Sequence, residues 1–184
     1  EEGFLQGLRD ITKQYGAVLI FDEVITGFRL ALGGAQSYYG VTPDMTTFGK
    51  IVGGGMPMAV YGGRREIMDC MSPTGPVYQA GTLSGNPVAV AAGTAMLKLL
   101  MGDTAVYERL EEKSARIENA FRKAVEKYHI KAQVNRVGSL MSIFFTDRPV
   151  KSFDDVQTSD LAQFAKYFRV MKAYSMYIAP SHYE

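Results

Sequence analysis

The chain has 184 residues, 47% of them hydrophobic and 21% charged, and a formal net charge of +1. Such a composition is typical of a globular protein with one good hydrophobic core. The near-neutral charge gives no electrostatic reason to expect binding to nucleic acid or to an anionic membrane. With one cysteine, Cys70, and two histidines, His129 and His182, the sequence excludes an intrachain disulfide and a tetrahedral zinc site of His and Cys ligands.

The first predicted elements are those of an α/β domain. Apolar residues at helical spacing predict a helix over residues 4–15, and a short apolar run over residues 17–21 predicts a buried strand that ends at Asp22. Two further buried strands are predicted at residues 45–48 and 57–61, each beside glycines. A helix that leads into a wholly apolar strand favours a parallel sheet covered on both faces.

The second half of the chain has a different pattern, with long helices and a pair of strands. Predicted helices cover residues 88–100, 104–128 and 160–174, and predicted strands cover residues 132–137, 140–145 and 176–179. We therefore expect a domain boundary near residue 100, with a large domain over residues 1–100 and a smaller one over residues 101–184. The chain begins without methionine and stops abruptly, so we expect it to be a piece of a longer protein.

Asp22 and Lys50 are the residues whose placement points most directly to chemistry. Asp22 ends one predicted strand, and Lys50 follows another and precedes three glycines. A lysine among apolar residues is favoured as the neutral amine that forms Schiff bases, and an aspartate can hold a pyridine nitrogen protonated. Together they are the minimal set for pyridoxal phosphate. Taken alone, the same pattern also fits an Asp22 that bonds its own loop and a Lys50 that lies partly exposed beside a turn.

Longer motifs favour the cofactor. The segment over residues 19–29, which contains Asp22-Glu23-Val24, resembles class III aminotransferases of the pyridoxal-phosphate fold type I. The segments over residues 33–44, 46–57 and 78–87 resemble, more narrowly, the glutamate-1-semialdehyde 2,1-aminomutase family. The resemblance implies the C-terminal part of a large α/β domain with a mostly parallel sheet, followed by a small, incomplete α+β domain.

The resemblance also implies roles for particular residues. Asp22 would pair with the pyridinium nitrogen, Lys50 would form the Schiff base, and Val24 would pack against the ring of the cofactor. Thr82 would donate to the cofactor phosphate of a neighbouring subunit in a homodimer. Glu184 aligns with a glutamate near the substrate amino groups.

Three other positions have simpler interpretations. Residues 81–86 equally fit a tight turn that caps the next helix. Glu23 is expected to anchor the loop at the strand end rather than to touch substrate. Gln36 lies in the family-distinguishing segment, and the sequence defines no role for it.

The function implied by the resemblance is an intramolecular amino transfer. An enzyme of this family converts glutamate-1-semialdehyde to 5-aminolevulinate for tetrapyrrole (porphyrin) biosynthesis, with pyridoxal 5′-phosphate as cofactor, in the cytoplasm or in the plastid of a plant or alga. Two alternatives remain open at this point: a class III ω-aminotransferase that exchanges amines between two substrates, and a non-catalytic fragment. Because the family's N-terminal half is not part of this sequence, the activity of the isolated chain is left open, and we expect the chain to be unstable or to aggregate.

Overall fold

The computed structural model describes residues 2–183, and its contacts divide them into two compact units. The first unit runs to Tyr107 and the second begins at Glu108. The boundary predicted near residue 100 falls inside a helix, seven residues before this division.

The first unit alternates helices with short strands. In chain order its elements are helix α1 (Phe4–Gln14), strand β1 (Ile20–Glu23), helix α2 (Gly34–Tyr39), strand β2 (Met45–Phe48), a 3₁₀ helix (Lys50–Gly53), strand β3 (Val60–Gly63), helix α3 (Arg65–Met68) and helix α4 (Pro87–Gly102). The three strands form one sheet in the order β1-β2-β3. Helix α1 leads into β1, and β1 is parallel to β2, as the sequence predicted for an α/β domain.

The register of this sheet decides which side chains share a face. Strands β1 and β2 are parallel, with Asp22 opposite Thr47, and β3 runs antiparallel to β2, with Tyr61 opposite Thr47. Because side chains alternate along a strand, Asp22, Thr47 and Tyr61 share one face of the sheet, and Glu23 and Thr46 belong to the other. The two parallel strands end side by side at Glu23 and Phe48.

A buried carboxylate holds the opposite end of the sheet. Asp44, which precedes β2, accepts hydrogen bonds from the backbone N–H of Leu19 at 2.8 Å, from Arg9 at 2.9 Å and from Arg64 at 3.1 Å. These donors lie before β1, in α1 and just before α3, so one side chain ties the start of β2 to three neighbouring segments.

Helix α4 begins at a side-chain cap and packs closely against the segment after β2. The Asn86 side chain accepts hydrogen bonds from the N–H groups of Val88 and Ala89, and Pro87 takes the first helical position, where no N–H is needed. A Cβ built on Gly93 would approach the carbonyl oxygen of Val52 more closely than real Cβ atoms do, and one on Gly54 would lie 2.5 Å from the carbonyl oxygen of Ala92. Glycine at both positions therefore permits the backbone of α4 to touch the 3₁₀ helix.

The second unit has its own core. Its elements are most of helix α5 (Val106–Lys127), the antiparallel strands β4 (Gln133–Val137) and β5 (Leu140–Phe144), helix α6 (Phe153–Val156) and helix α7 (Leu161–Ala173). Ala132, Phe145 and Phe164 form the buried centre, against which Val125, Ile143 and Tyr167 pack. On its surface Arg136 binds Glu111 at 2.8 Å and Glu118 at 2.6 Å, which joins α5 to β4.

Most of the predicted elements are confirmed, with four corrections. The strand expected at residues 17–21 instead runs from Ile20 to Glu23 and so includes Asp22. The strand expected at residues 57–61 begins only at Val60 and is antiparallel to its neighbour. The strand expected at residues 176–179 was wrong, because no segment among residues 2–183 pairs with it. The short helices α2 and α6 were not predicted, since neither is long enough to show an apolar period.

Two further observations concern the surface of the described residues. Val18 and Ile20, which the sequence placed in a buried strand, are 52% and 54% exposed, and Val60 and Tyr61 of β3 are 37% and 38% exposed, so the predicted burial of these two strands was wrong. Within residues 2–183 no single helix is both long and apolar enough to cross a membrane, and only α4 and α5 taken together as a bent pair meet the length and composition required.

Candidate active site

Asp22 lies at the carboxyl end of β1, and its contacts link the two parallel strands. One carboxylate oxygen, Oδ1, accepts a hydrogen bond from the backbone N–H of Val24 at 3.0 Å and one from the hydroxyl of Thr47 at 3.4 Å. The first contact is the bond to its own loop that the sequence left open as an alternative. The second joins Asp22 to the neighbouring strand, so the carboxylate is held against the sheet while its side chain remains exposed.

The Val24 side chain contacts Gly49, the glycine between β2 and the 3₁₀ helix. A Cβ built on Gly49 would lie 3.2 Å from Cγ1 of Val24, so the Val24 side chain covers the backbone immediately before Lys50. This contact brings Val24, two positions after Asp22, beside Gly49, which directly precedes Lys50. The chain thus carries Asp22, Val24 and Lys50 at the ends of adjacent parallel strands, where open α/β sheets bind ligands.

Lys50 has an unusual backbone conformation. It begins the 3₁₀ helix with φ of +49°, in the left-handed region that residues other than glycine rarely adopt. Such conformations cost on the order of 1–3 kcal/mol and cluster at active sites. The side chain of Lys50 is exposed in this chain. The enclosure by apolar residues that the sequence predicted is therefore not supplied by residues 2–183.

A cavity of about 820 Å³ opens beside these strand ends. Its walls come from Val24, from β2 and β3, and from the segment before and within the start of α4; among the lining residues are Thr47, Tyr61, Gln79, Thr82 and Asn86. Pockets of 300–1,000 Å³ with apolar walls and a few polar groups are the usual binding sites for small molecules. The cavity brings Val24 and Thr82 together. Asp22 does not line it and reaches it through Thr47, and Lys50 lies beyond Gly49.

Thr82 is part of a tight turn at the mouth of this cavity. The N–H of Ser84 donates to the carbonyl oxygen of Gly81 at 2.9 Å, and Asn86 then caps α4. The turn that the sequence suggested as a simpler interpretation is therefore present. It also leaves the Thr82 side chain exposed on the cavity wall, where its hydroxyl is available to a ligand.

Glu23 is buried beneath the strand end, with 1% of its surface exposed. It accepts hydrogen bonds from the hydroxyl of Thr26 and from backbone N–H groups at the start of α2, which confirms that it anchors the loop at the strand end. Gln36, for which the sequence gave no role, donates to Glu23 and to Thr46. Glu184 lies outside the described residues.

Sequence reasoning did not identify Thr47, Tyr61 and Gln79 as site residues. Alternation along β2 and β3 would have placed Thr47 and Tyr61 on the face of Asp22, but only once the register was known. No pattern in the sequence marks Gln79.

The residues at the strand ends fit pyridoxal phosphate. Asp22 offers a carboxylate of the kind that binds a protonated ring nitrogen, Lys50 offers an amine that can react with an aldehyde, and Val24 offers an apolar surface. The exposed hydroxyl of Thr82 can donate to a phosphate, and Gly81, directly before it, and Gly85, three residues after it, allow close approach to the backbone.

Comparison with known proteins agrees with this chemistry. The model of the family described as aminotransferase class-III matches residues 1–180. A relative from Lachnoclostridium phytofermentans, named glutamate-1-semialdehyde 2,1-aminomutase 2, is 55% identical over 184 residues, which are 100% of this chain and 43% of the relative. The chain spans about 42 to 43% of the length of the curated relatives it matches.

Solved structures show the same fold. An ω-transaminase from Sphaerobacter thermophilus has a TM-score of 0.86 and 35% identity, over 99% of this chain and 42% of that one. A glutamate-1-semialdehyde aminomutase from Pseudomonas aeruginosa PAO1 in complex with PMP has a TM-score of 0.87 at 23% identity, again over 99% of this chain and 42% of that one. The chain therefore has the fold of the pyridoxal-phosphate-dependent aminotransferases and belongs to the class III aminotransferase family.

Proposed function

We propose that the whole protein containing this chain is a glutamate-1-semialdehyde 2,1-aminomutase, an isomerase that forms 5-aminolevulinate for tetrapyrrole biosynthesis. The observation that carries the proposal is the placement of Asp22, Val24 and Lys50 at the ends of two adjacent parallel strands. The relatives of that name, 55% identical over the full chain, support the choice of reaction.

The proposed cofactor is pyridoxal 5′-phosphate, which when bound supplies an electron sink for negative charge that develops on the substrate carbon. Asp22 holds the proton on the ring nitrogen, and the hydrogen bonds from Val24 N–H and Thr47 fix the direction of its carboxylate. Val24 packs against the ring. Thr82 donates its hydroxyl proton to the phosphate, in our proposal that of a neighbouring subunit in a homodimer.

Lys50 is the proposed catalytic base and acid. Its Nζ takes a proton from the substrate carbon and later returns one, which a neutral amine released near that carbon can do. The reaction is balanced within one molecule: an amino group is added at the aldehyde carbon of the semialdehyde, and the amino group of the neighbouring carbon is removed. Glu184 is proposed to lie near these amino groups.

We propose a localisation on the basis of the proposed function. An enzyme that supplies tetrapyrrole synthesis would act in the cytoplasm or, in a plant or alga, in the plastid. We propose no nucleic-acid or membrane partner, and the substrate is the only small molecule besides the cofactor that the reaction requires.

The test separates the aminomutase from an ordinary aminotransferase. The longest native polypeptide containing this chain is loaded with pyridoxamine phosphate and given glutamate-1-semialdehyde alone, and 5-aminolevulinate is measured over many turnovers. Continued product formation with no added amine donor is the expected result, and the Lys50→Ala variant is expected to be inactive. An ordinary aminotransferase would instead aminate the semialdehyde once to the diamine, form no 5-aminolevulinate, and continue only when an amine donor is added. That result would favour the ω-aminotransferase, which the 35% identity to the Sphaerobacter thermophilus ω-transaminase makes the second candidate.

A further inference from the structure

We propose that Glu23, Gln36 and Thr46 act as positioning residues for the active site. These three side chains, named here the Glu23 cluster, lie on the sheet face opposite Asp22 and Thr47. In our inference the cluster fixes the distance between the strand end that carries Asp22 and the strand end that leads to Lys50. The inference rests on the proposed function, because it concerns how the same site holds its cofactor.

The centre of the cluster is the carboxylate of Glu23, the most completely buried large side chain in the described part of the chain. Oε2 accepts hydrogen bonds from the hydroxyl of Thr26 at 3.0 Å and from the N–H of Ala35 at 2.5 Å. Oε1 accepts from the backbone N–H of Gln36 at 3.0 Å. A buried carboxylate without such donors would be costly, so these contacts fix where the end of β1 lies relative to α2.

Gln36 carries this constraint to the second strand. Its side-chain Nε2 donates to Oε1 of Glu23 at 3.1 Å and to the hydroxyl oxygen of Thr46 at 3.2 Å. The amide therefore bridges a residue of β1 and a residue of β2. Buried polar groups that satisfy one another in this way specify one arrangement of the elements that carry them.

Gly34 shows how closely the loop is fitted to Glu23. A Cβ built on Gly34 would collide with Oε2 of Glu23, and the φ of +69° at Gly34 is itself one that favours glycine. The loop between β1 and α2 thus returns directly onto the carboxylate, where only a residue without a side chain can pass. Because the backbone at Gly34 lies so close, it restricts the position of the Glu23 carboxylate.

The consequence reaches the active site through adjacent residues. Asp22 precedes Glu23, and Thr47 follows Thr46, so each member of the Asp22–Thr47 hydrogen bond is the chain neighbour of a cluster member. A shift of β1 against β2 on one face of the sheet would change the Asp22–Thr47 distance on the other face. Lys50 lies three residues beyond Thr47 and would move with the same strand end.

The experiment uses the longest native polypeptide that contains this chain and compares Glu23→Gln, Thr46→Val and Thr46→Ser with the parent. Glu23→Gln keeps the shape but removes an acceptor, Thr46→Val removes the hydroxyl at constant shape, and Thr46→Ser keeps the hydroxyl. Glu112→Gln, on an exposed face of α5, is the control for a change of charge alone. For each protein three quantities are measured: the Kd for pyridoxal phosphate, the pH midpoint of the visible absorption of the bound cofactor, and the thermal midpoint.

We expect Glu23→Gln and Thr46→Val to raise the Kd by about tenfold to a hundredfold, a loss of the size found when an outer partner that orients a metal ligand is changed. We also expect both to shift the pH midpoint of the cofactor absorption, because the placement of Asp22 changes. Thr46→Ser and Glu112→Gln should resemble the parent. A lower thermal midpoint with the parent Kd and the parent pH midpoint in Glu23→Gln and Thr46→Val would overturn the inference, since the cluster would then serve stability alone. Failure of the parent protein itself to bind pyridoxal phosphate would overturn the proposed function, and the inference with it.

Discussion

Replacing Gly93 with alanine is expected to move the 3₁₀ helix that begins with Lys50. Gly93 lies in α4, where an added Cβ would meet the carbonyl oxygen of Val52 inside the 3.0 Å that real Cβ atoms essentially never reach. Ordinary contact begins at 3.4 Å, so the two backbones must separate by more than 0.4 Å, the difference between these values. The added methyl also lies 3.2 Å from the sulfur of Met58, so a shift of the methyl towards Met58 would not relieve the contact with Val52.

The magnitude follows from this displacement. Overpacking costs about 1–3 kcal/mol of the free energy of unfolding, and about 1 kcal/mol of this is recovered because alanine favours a helix more than glycine does. The net loss of stability is therefore small. A misplacement of about 1 Å at a reacting group costs on the order of a hundredfold in rate, so a movement of at least half that size should lower kcat by about tenfold or more.

The assay compares two identical substitutions in one helix. Gly102, the last residue of α4, has nothing within 4 Å of its added Cβ, so Gly102→Ala is the matched control. In the longest native polypeptide we expect Gly93→Ala to lower kcat and to slow the borohydride-dependent pyridoxyl labelling of Lys50, with both unchanged in Gly102→Ala. Equal kcat and equal labelling in the two variants would refute the reasoning that α4 sets the position of Lys50.

Three further predictions concern other parts of the chain. Hydrogen bonds from Arg9, from the backbone N–H of Leu19 and from Arg64 hold the pKa of the Asp44 carboxyl well below its ordinary value of 3.8, so its contribution to stability is complete above that value and is lost as the pH falls below it. Denaturant titrations at a series of pH values should therefore show a shallower loss of stability in acid for Asp44→Asn than for the parent or for the exposed control Asp69→Asn; equal slopes would contradict this assignment. If Thr82 serves a neighbouring subunit, the inactive variants Lys50→Ala and Thr82→Ala should regain activity when they are co-expressed. If subunits mix at random and each dimer has two sites, the recovered activity is at most about a quarter of that of the parent. No recovery in verified mixed dimers would place Thr82 in the site of its own subunit. The isolated 184-residue chain should aggregate or unfold without a cooperative transition, because Val18 and Ile20 are more than half exposed beside the unpaired edge of β1; a monodisperse monomer with a cooperative thermal transition would contradict this.

Local patterns were sufficient for the elements that are long or wholly apolar. The helical spacing of apolar residues predicted α1, α5 and α7, and α4 begins at Pro87, one residue before its predicted start. The apolar runs before Asp22 and Lys50 predicted two strands, and these lie side by side and parallel. The family motifs then assigned chemistry to positions that the periodicity alone left open.

The remaining features depend on contacts between distant residues. The antiparallel direction of β3 and the absence of a paired strand at residues 176–179 are properties of partners, which a single segment does not specify. The role of Gln36 became clear only when Glu23 and Thr46 were found within reach of the same amide. The exposure of Lys50 has the same origin, because the sequence showed its apolar neighbours along the chain but not how much of its surface they would cover.

The central claim, that Lys50 is the residue that binds pyridoxal phosphate covalently, is tested most directly by borohydride trapping and peptide mapping. The longest native polypeptide containing this chain is incubated with the cofactor, reduced and digested, beside a Lys50→Arg variant and a control in which the exposed Lys98 is changed to Arg. We predict one pyridoxyl-labelled peptide, carrying the label on Lys50, in the parent and in the Lys98→Arg control, and none in Lys50→Arg. A folded parent protein with excess cofactor and no label at Lys50, or a label retained in Lys50→Arg, would contradict the account.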